Sequence, residues 1–403
     1  MTMPPRHAEL VEARRLPELV EGIAGVVPAE IVAPNTIEEL AEIVRGLYAA
    51  RNAFAFVGGA TELDLGNRPR ALHTLVRTNA LDRVVDYAPE DQTITVEAGM
   101  TFARLDRVLA EHGQMLPLDV PDRERSTVGG AIATNAYGPR RQRYGTAKDL
   151  IVGVEIVRPD GTRARGGGKV VKNVAGFDIP KLMVGALGTL GAIATATLRV
   201  YPIPETRGAI RLAADRPETV EQLAAGLVRR RLEPAAVIGD VVVFEGVAAG
   251  VAAQLETAKD LARELALNAT VLDEAGLAEV EGRDLAARTS GDWRIKQVSR
   301  PSDSELAASG LSYVPGERLE STYPLLGVRF ISFQDAPHVE DAYRDGVRNL
   351  TGGTTVFHAI PPRLRGTIDA WGPPPPSFPL MRAIKERFDP LGLCNAGRFI
   401  GGL

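Results

Sequence analysis

The sequence predicts an α+β protein with a loop-rich first half and a separate α+β domain behind it, and three observations carry that reading. Apolar segments of strand length alternate with stretches of helical periodicity. Two loops with paired glycines, Gly58-Gly59 and Gly129-Gly130, interrupt the first half, each with a Thr close by. Past Pro204 the composition turns to Ala, Val, Glu and Arg, with strands and helices that continue to alternate. At 403 residues, 45% hydrophobic and 24% charged, the chain is long enough for two or three cores.

Thr36 opens the first clear helix. With Glu39 it makes a capping-box pattern, and Ile37, Leu40, Ala41, Val44, Leu47 and Tyr48 share one face. Phe54 to Val57 reads as a short buried strand that runs into Gly58-Gly-Ala-Thr-Glu-Leu-Asp-Leu-Gly66. Strands follow around Val84 to Tyr87 and Thr93 to Glu97. A helix from Thr101 turns Phe102, Leu105, Val108 and Leu109 inward and stops at Gly113.

The stretch Ser126 to Gly145 reads as the centre of the molecule. Glycines without a Cβ let a ligand approach backbone N–H groups, and a run of such amides makes an anion nest. Ser126, Thr127, Thr134 and Asn135 add small polar side chains suited to phosphate oxygens or a ring carbonyl. One Gly-Gly pair alone reads as a tight turn. Two such loops in one half favour a diphosphate-bearing cofactor, lying along the second of them.

Beyond this loop, Leu150 to Val157 reads as a strand buried on both faces, and Arg158-Pro-Asp-Gly-Thr162 as a hairpin turn. A third glycine-rich passage holds Lys169 to Asp178, a short helix from Pro180, Gly185 to Gly191, and a strand from Ala192 to Val200. After Pro204 the pattern gives a helix near Thr219 to Arg230, a strand Val241 to Glu245 and a helix Ala248 to Leu265. Further on come a strand Leu325 to Phe333, a helix Val339 to Leu350 and a strand Thr354 to Ala359. Pro373 to Pro376 is a stiff linker before a last helix, Phe378 to Phe388.

Several function classes are disfavoured. A net charge of −4 with interspersed signs provides no broad basic field for nucleic acid. The single cysteine, Cys394, allows no internal disulfide and no iron–sulfur cluster held by this chain alone. No apolar run approaches membrane-spanning length and the first residues carry no signal-peptide core, so the expected setting is cytoplasmic, at most peripheral on the inner face of a membrane. The histidines, His7, His73, His112, His338 and His358, show no metal-ligand spacing, and no metal is expected. Gly166, Gly168 and Val171 miss the third glycine of a dinucleotide fingerprint, and Gly168-Lys169-Val170 lacks the hydroxyl of a P-loop.

Val57-Gly-Gly-Ala-Thr, Ser126-Thr-Val-Gly-Gly with Asn135 and Tyr144-Gly145, and Lys172-Asn-Val-Ala-Gly-Phe-Asp178 with Gly188-Thr-Leu-Gly191 occur in order. Together they resemble the FAD-binding domain of the vanillyl-alcohol-oxidase (PCMH-type) superfamily. The tail Phe388 to Arg398 resembles its closing motif. Trp293-Arg-Ile and Arg300-Pro-Ser-Asp303 resemble the cap of the FAD-binding GlcE-type subunits of bacterial glycolate oxidase.

The resemblance implies a two-part PCMH-type FAD-binding domain over 1–205, a smaller α+β cap over 206–377 and a tail, 378–403, that returns to the first domain. It implies FAD contacts from Val57, Gly58, Gly59, Ala60, Thr61, Ser126, Thr127, Gly129, Gly130, Thr134, Asn135, Gly138, Tyr144 and Asn395, with the adenine end near Gly191 and Ile193. Family members with covalent flavin use a His after the first glycine pair or a Cys in the second loop. Here Ala60 and Thr61 follow the pair and the second loop has no Cys, so the FAD is expected to be non-covalent.

The implied activity is oxidation of a small 2-hydroxy acid, glycolate or D-lactate, with a companion flavoprotein and an iron–sulfur subunit as partners. Such chemistry needs a cation for the carboxylate and a base for the hydroxyl proton. Arg294 and Arg398 are the candidate cations and His358 the candidate base, although Arg294 also fits stacking on Trp293 and His358 a satisfied core position. The metal-using His-x-Gly-Asp-Gly-Asn-x-His segment of related dehydrogenases is absent. Two other readings follow: a flavin-bearing electron-relay or assembly subunit, and a stand-alone FAD alcohol oxidase.

Overall fold

A computed structural model of the chain describes residues 22–168, 178–213, 217–301, 317–335 and 353–403. Lys172 to Phe177, Ser302-Asp303 and the helix expected from Val339 to Leu350 lie outside the described residues.

Among the described residues the first half is built on two main sheets and a two-stranded pair, Gln114–Met115 with Tyr201–Pro202. The smaller main sheet is parallel, with Thr74–Arg77 in the centre between Glu30–Val32 and Phe54–Val57. Parallel neighbours need a long crossover, and the helix Ile37–Ala49 lies between the outer two strands in sequence, with Leu40, Val44 and Leu47 buried with Phe54 and Val76. Thr36 caps that helix by accepting from the Glu39 amide at 3.1 Å, but the Glu39 carboxylate closes back on the Asn35 amide, one residue earlier than the sequence pattern implies.

The larger sheet is antiparallel, in the order Val84–Ala88, Thr93–Glu97, Ala192–Arg199, Ile151–Val157, Arg163–Gly167. Ile94, Val96, Ile156 and Leu198 share a core with Phe102, Leu105 and Leu109 of the helix Phe102–Ala110 and with Val128 and Ile132 of the helix Val128–Thr134. Leu150 does not belong to its expected strand: it ends the short helix Ala147–Leu150, closed by a capping box between Thr146 and Asp149.

From Thr206 onward two four-stranded antiparallel sheets follow. One orders Ala236–Ile238, Val241–Gly246, Thr206–Ala213, Asn268–Leu272; the other Arg318–Tyr323, Val328–Phe333, Trp293–Ser299, Gly353–Ala359. The strand expected from Leu325 starts instead at Val328, because Pro324–Leu326 coils into a 3₁₀ turn that ends on Gly327 at φ +61°. The Tyr144 hydroxyl donates to the Glu245 carboxylate and Arg143 to the Glu245 carbonyl, and these bonds join the two halves of the chain.

The tail returns to the first half. Phe54 donates to the Leu393 carbonyl at 3.0 Å and accepts from the Asn395 amide at 2.7 Å, so the tail occupies the outer edge of the parallel sheet. A buried ion pair fixes it. Lys385 Nζ reaches Asp389 Oδ2 at 2.6 Å and donates to the carbonyls of Thr189 and Cys394, while Asp389 also accepts from the Cys394 amide. Removing one partner of such a pair leaves the other charge uncompensated, so Lys385→Met is expected to cost about 3–5 kcal/mol. Urea denaturation of the variant against the parent chain measures it.

Among the described residues no helix is long and apolar enough to cross a membrane.

Candidate functional site

The strand Phe54–Val57 delivers Gly58 to Leu65 to the edge of the larger sheet's core, where the segment meets Arg125 to Thr127. The approach is close enough to require glycine. A Cβ on Gly58 would stand 2.1 Å from Thr127 Oγ1, and one on Gly59 would stand 1.7 Å from the Arg125 carbonyl oxygen. Thr61 Oγ1 and Ser126 Oγ lie 3.2 Å apart across the same contact. Ala60 adopts φ +58°, and among the described residues no acceptor takes the backbone N–H groups of Gly58, Gly59, Ala60 or Thr61. These four amides are the donors that an anion can use.

The second glycine pair does a different job from the nest read in the sequence. Gly129 and Gly130 lie in the first turn of the helix Val128–Thr134, and their amides are already engaged, Gly129 N–H by the Ala98 carbonyl at 2.7 Å and Gly130 N–H by Thr127 Oγ1 at 3.2 Å. A Cβ on Gly129 would stand 2.7 Å from that of Ala98, so this glycine brings the helix onto the sheet.

Between the two loops opens a cleft of about 960 Å³, the open solvent at its mouth included. Val57, Gly58, Gly59, Ala60, Thr61, Ser126, Thr127, Gly129, Gly130, Thr134, Gly191, Ile193, Asn395 and Arg398 all line it. Asn135, Gly138 and Tyr144 do not. Asn135, the left-handed C-cap of the helix, faces a smaller neighbouring pocket; Gly138 packs under Asp119 and Arg288; the Tyr144 hydroxyl donates to Glu245 at 3.1 Å.

The smaller pocket opens off the cleft and shares Glu62, Pro121 and Ala136 with it. Its other walls are Asn135, Tyr137, Arg288, Lys296, Phe330 and His358. Strand geometry aims the polar ones. Arg294 and Lys296 sit two apart and share a face of the strand Trp293–Ser299, whereas Trp293 points the other way and stacks on Phe333. In the neighbouring strand, Arg294 pairs with Ala359 but Ile295 with Phe357, a bulge that leaves His358 as the extra residue and re-aims its ring.

His358 is the sequence's candidate base, and its surroundings suit that use. Nδ1 faces Glu62 Oε2 at 3.7 Å, an electrostatic pair too long for a hydrogen bond, and Nε2 is buried with no partner among the described residues. Burial and Lys296 pull the imidazole below its ordinary value, outweighing Glu62, so it is neutral at neutral pH. Burial alone would raise Glu62, but His358, Arg294 and Lys296 hold its carboxyl below the usual range. Burial pushes the Lys296 ammonium down to about 8, against the pull of Glu62. Lys296 also lies over the Tyr137 ring, 5.3 Å from its centroid.

Arg294 lines neither space. Its Nη2 donates to Asp64 Oδ2 at 2.9 Å, and Arg365 takes Asp64 Oδ1 at 2.5 Å. Arg294 therefore ties the later sheet to the loop behind the glycine cradle. Arg398 lines the cleft and not the smaller pocket. Sequence reasoning missed Lys296, Glu62, Tyr137, Arg288 and Phe330. Arg288 is committed to Asp284 at 3.0 Å, and the Asp284 carboxylate also accepts from Ser321 and Tyr323.

FAD fits this cleft: a loop packed too closely for a Cβ offers four amides that are uncommitted among the described residues, and on the wall Asn395 Oδ1 and Arg398 Nε and Nη1 are buried without partners among those residues. Among the described residues no group of three or more His, Cys, Asp or Glu is placed to hold a metal.

Comparison with known proteins agrees. Residues 28–167 match the FAD binding domain family. The chain is 28% identical over 208 residues to the glycolate oxidase subunit GlcD of Bacillus subtilis, covering 52% of this chain and 44% of that protein. It is 33% identical to a D-2-hydroxyglutarate dehydrogenase of Xanthomonas citri pv. viticola, over 51% and 44% of the two chains. With the glycolate oxidase subunit GlcE of Escherichia coli it shares 35% identity over 35% of this chain and 41% of that one. The chain thus spans less than half the length of these curated relatives. Its fold is shared with substrate-bound p-cresol methylhydroxylase, with TM-score 0.73, 14% identity, and coverage of 95% of this chain and 91% of that one. An alkyldihydroxyacetonephosphate synthase aligns with TM-score 0.67 and 18% identity, over 92% and 76%.

Proposed function

We propose, for a chain that carries an FAD-binding domain within a PCMH-type fold, that it is the FAD-binding subunit of a glycolate oxidase or dehydrogenase-type complex acting on a small 2-hydroxy acid. The observation that carries the reading is the smaller pocket, where a half-buried cation and a neutral imidazole converge beside the cleft.

The amides of Gly58 to Thr61 hold the FAD diphosphate non-covalently, and the smaller pocket receives the substrate. Lys296 attracts the substrate carboxylate. His358 Nε2 takes the hydroxyl proton, while Glu62 favours the tautomer with the proton on Nδ1. Bound FAD supplies the acceptor for the α-hydrogen and its bonding electron pair. Tyr137 and Phe330 wall the pocket with apolar surface, which keeps water from the hydroxyl. Electrons would then pass to a companion flavoprotein and an iron–sulfur subunit, a reading supported by the relatives that are subunits of glycolate oxidase. The reducing cytoplasm, at the inner face of the membrane through those partners, is the setting that fits.

The test is spectroscopic. The FAD-loaded chain, mixed anaerobically with glycolate or D-lactate, is expected to lose its 450 nm flavin band. A flavin that responds only after companion subunits are added assigns this chain the relay role instead.

A pH dependence follows from Lys296. It carries its charge below about 8 and loses it as pH rises through that value, so KM is expected to climb roughly tenfold per pH unit above it. Lys296→Met raises KM at neutral pH and abolishes that climb. A KM that stays flat from pH 7 to 9.5 in the parent chain rules Lys296 out as the carboxylate's partner.

A further inference from the structure

We propose that Arg398 is an anion receptor for the cofactor, its guanidinium binding a negatively charged part of FAD on the wall of the cleft. The inference rests on the FAD reading above and moves Arg398 away from the substrate role its type suggested in the sequence.

Arg398 is 3% exposed. Its Nη2 donates to the carbonyls of Leu63, at 2.9 Å, and Leu65, but Nε and Nη1 are buried without an acceptor among the described residues. A buried guanidinium with two idle donors carries a desolvation cost, and an anion offsets it best because it answers the charge as well as the donors. The nearby acid cannot serve, because Asp64 is shared between Arg294 and Arg365. Three guanidiniums thus face one carboxylate, and the excess positive charge borders the cleft.

The backbone that carries the side chain is pinned in place. The Arg398 carbonyl accepts from the Asn67 amide and from Trp371 Nε1, each at 2.9 Å, and Gly66 is packed so tightly that a Cβ on it would stand 2.7 Å from that same oxygen. Burial draws the guanidinium down to about 10, which leaves it charged at neutral pH. A substrate carboxylate does not meet it, since Arg398 has no place in the pocket where Lys296 and His358 converge.

FAD has two regions able to supply the charge: the diphosphate, and the pyrimidine edge of the ring, which gains negative charge on reduction. Arg398→Met and Arg398→Lys in the full chain, titrated with FAD, ADP and riboflavin, distinguish them. With a diphosphate partner, the Met variant binds FAD and ADP about 10- to 100-fold more weakly, the range for a hydrogen bond to a charged group. Riboflavin is then unaffected, and Lys restores most of the loss. With the ring as partner, ADP is unaffected and the reduced cofactor loses about tenfold more affinity than the oxidised one. That lowers the midpoint potential by about 30 mV for a two-electron couple.

Unchanged affinity for all three probes together with an unchanged potential overturns the assignment. So does a Met variant with a lower melting temperature but the parent's full FAD-induced stabilisation, which marks a structural residue. A parent chain that binds neither FAD nor riboflavin overturns the cofactor reading and this inference with it.

Discussion

Gly59→Val is expected to purify colourless and to bind added FAD at least about 100-fold more weakly than the parent, a loss near 2.7 kcal/mol. The new Cβ would stand 1.7 Å from the Arg125 carbonyl oxygen, and a backbone atom has no rotamer by which to yield. The loop Gly58 to Thr61 must lift off the Arg125 to Thr127 turn. Its four uncommitted amides then leave the positions from which they are proposed to hold the diphosphate. The sheets behind the loop are cored independently by Phe54, Val76 and Ile94, so the apo-protein is expected to keep its circular dichroism and most of its melting temperature. The ratio of absorbance at 450 and 280 nm after reconstitution measures the loss. A Gly59→Val chain that stays as yellow as the parent shows that this contact does not set the cradle.

The second large effect is expected at His358. Replacement by Asn should leave FAD binding intact, because His358 lines only the smaller pocket. The reductive half-reaction should slow by roughly 10²- to 10⁴-fold, the usual contribution of a positioned general base. The pH profile adds a signature that packing cannot mimic. The His358 imidazole has its pKa lowered, so the rate in the parent falls only as pH drops through that lowered value, below the ordinary 6.5, and the variant loses this limb. Reduction by glycolate or D-lactate within threefold of the parent rate, with the limb still present, would falsify the base assignment.

How much of this was legible in the sequence depends on whether the determinant was local. The helix Ile37–Ala49 and the strand Phe54–Val57 ending in Gly58 and Gly59 were readable because a cap, a periodicity and a glycine pair are each signals within a few residues. The second glycine pair misled. Gly129 and Gly130 disfavour a helix by propensity, yet Thr127 caps one there and contacts with Ala98 and Met100 hold it, so tertiary packing overrides propensity and consumes the amides.

Lys296 escaped notice for a related reason. In Trp293-Arg-Ile-Lys-Gln it reads as an ordinary solvated charge of an alternating strand. Only the fold shows that Tyr137 and Glu62, from much earlier in the chain, close over it. His358 stood out as an isolated histidine in an apolar strand, but the bulge that turns its ring toward Glu62 is a property of strand pairing. Arginine's suitability for carboxylates nominated Arg294 and Arg398 by residue type. Asp64 and the carbonyls of Leu63 and Leu65 decide what each is used for.

The contact between Arg398 and Leu63 joins positions 335 residues apart, and the Asn395 amide bonds Phe54 across a slightly longer interval. A ribosome therefore finishes the glycine turn long before it makes the segment that walls the cleft, and the nascent chain has no complete berth for a dinucleotide in the meantime. Loading becomes a late event in biogenesis, and flavin scarcity will strand fully synthesised polypeptides with an unneutralised arginine in their interior.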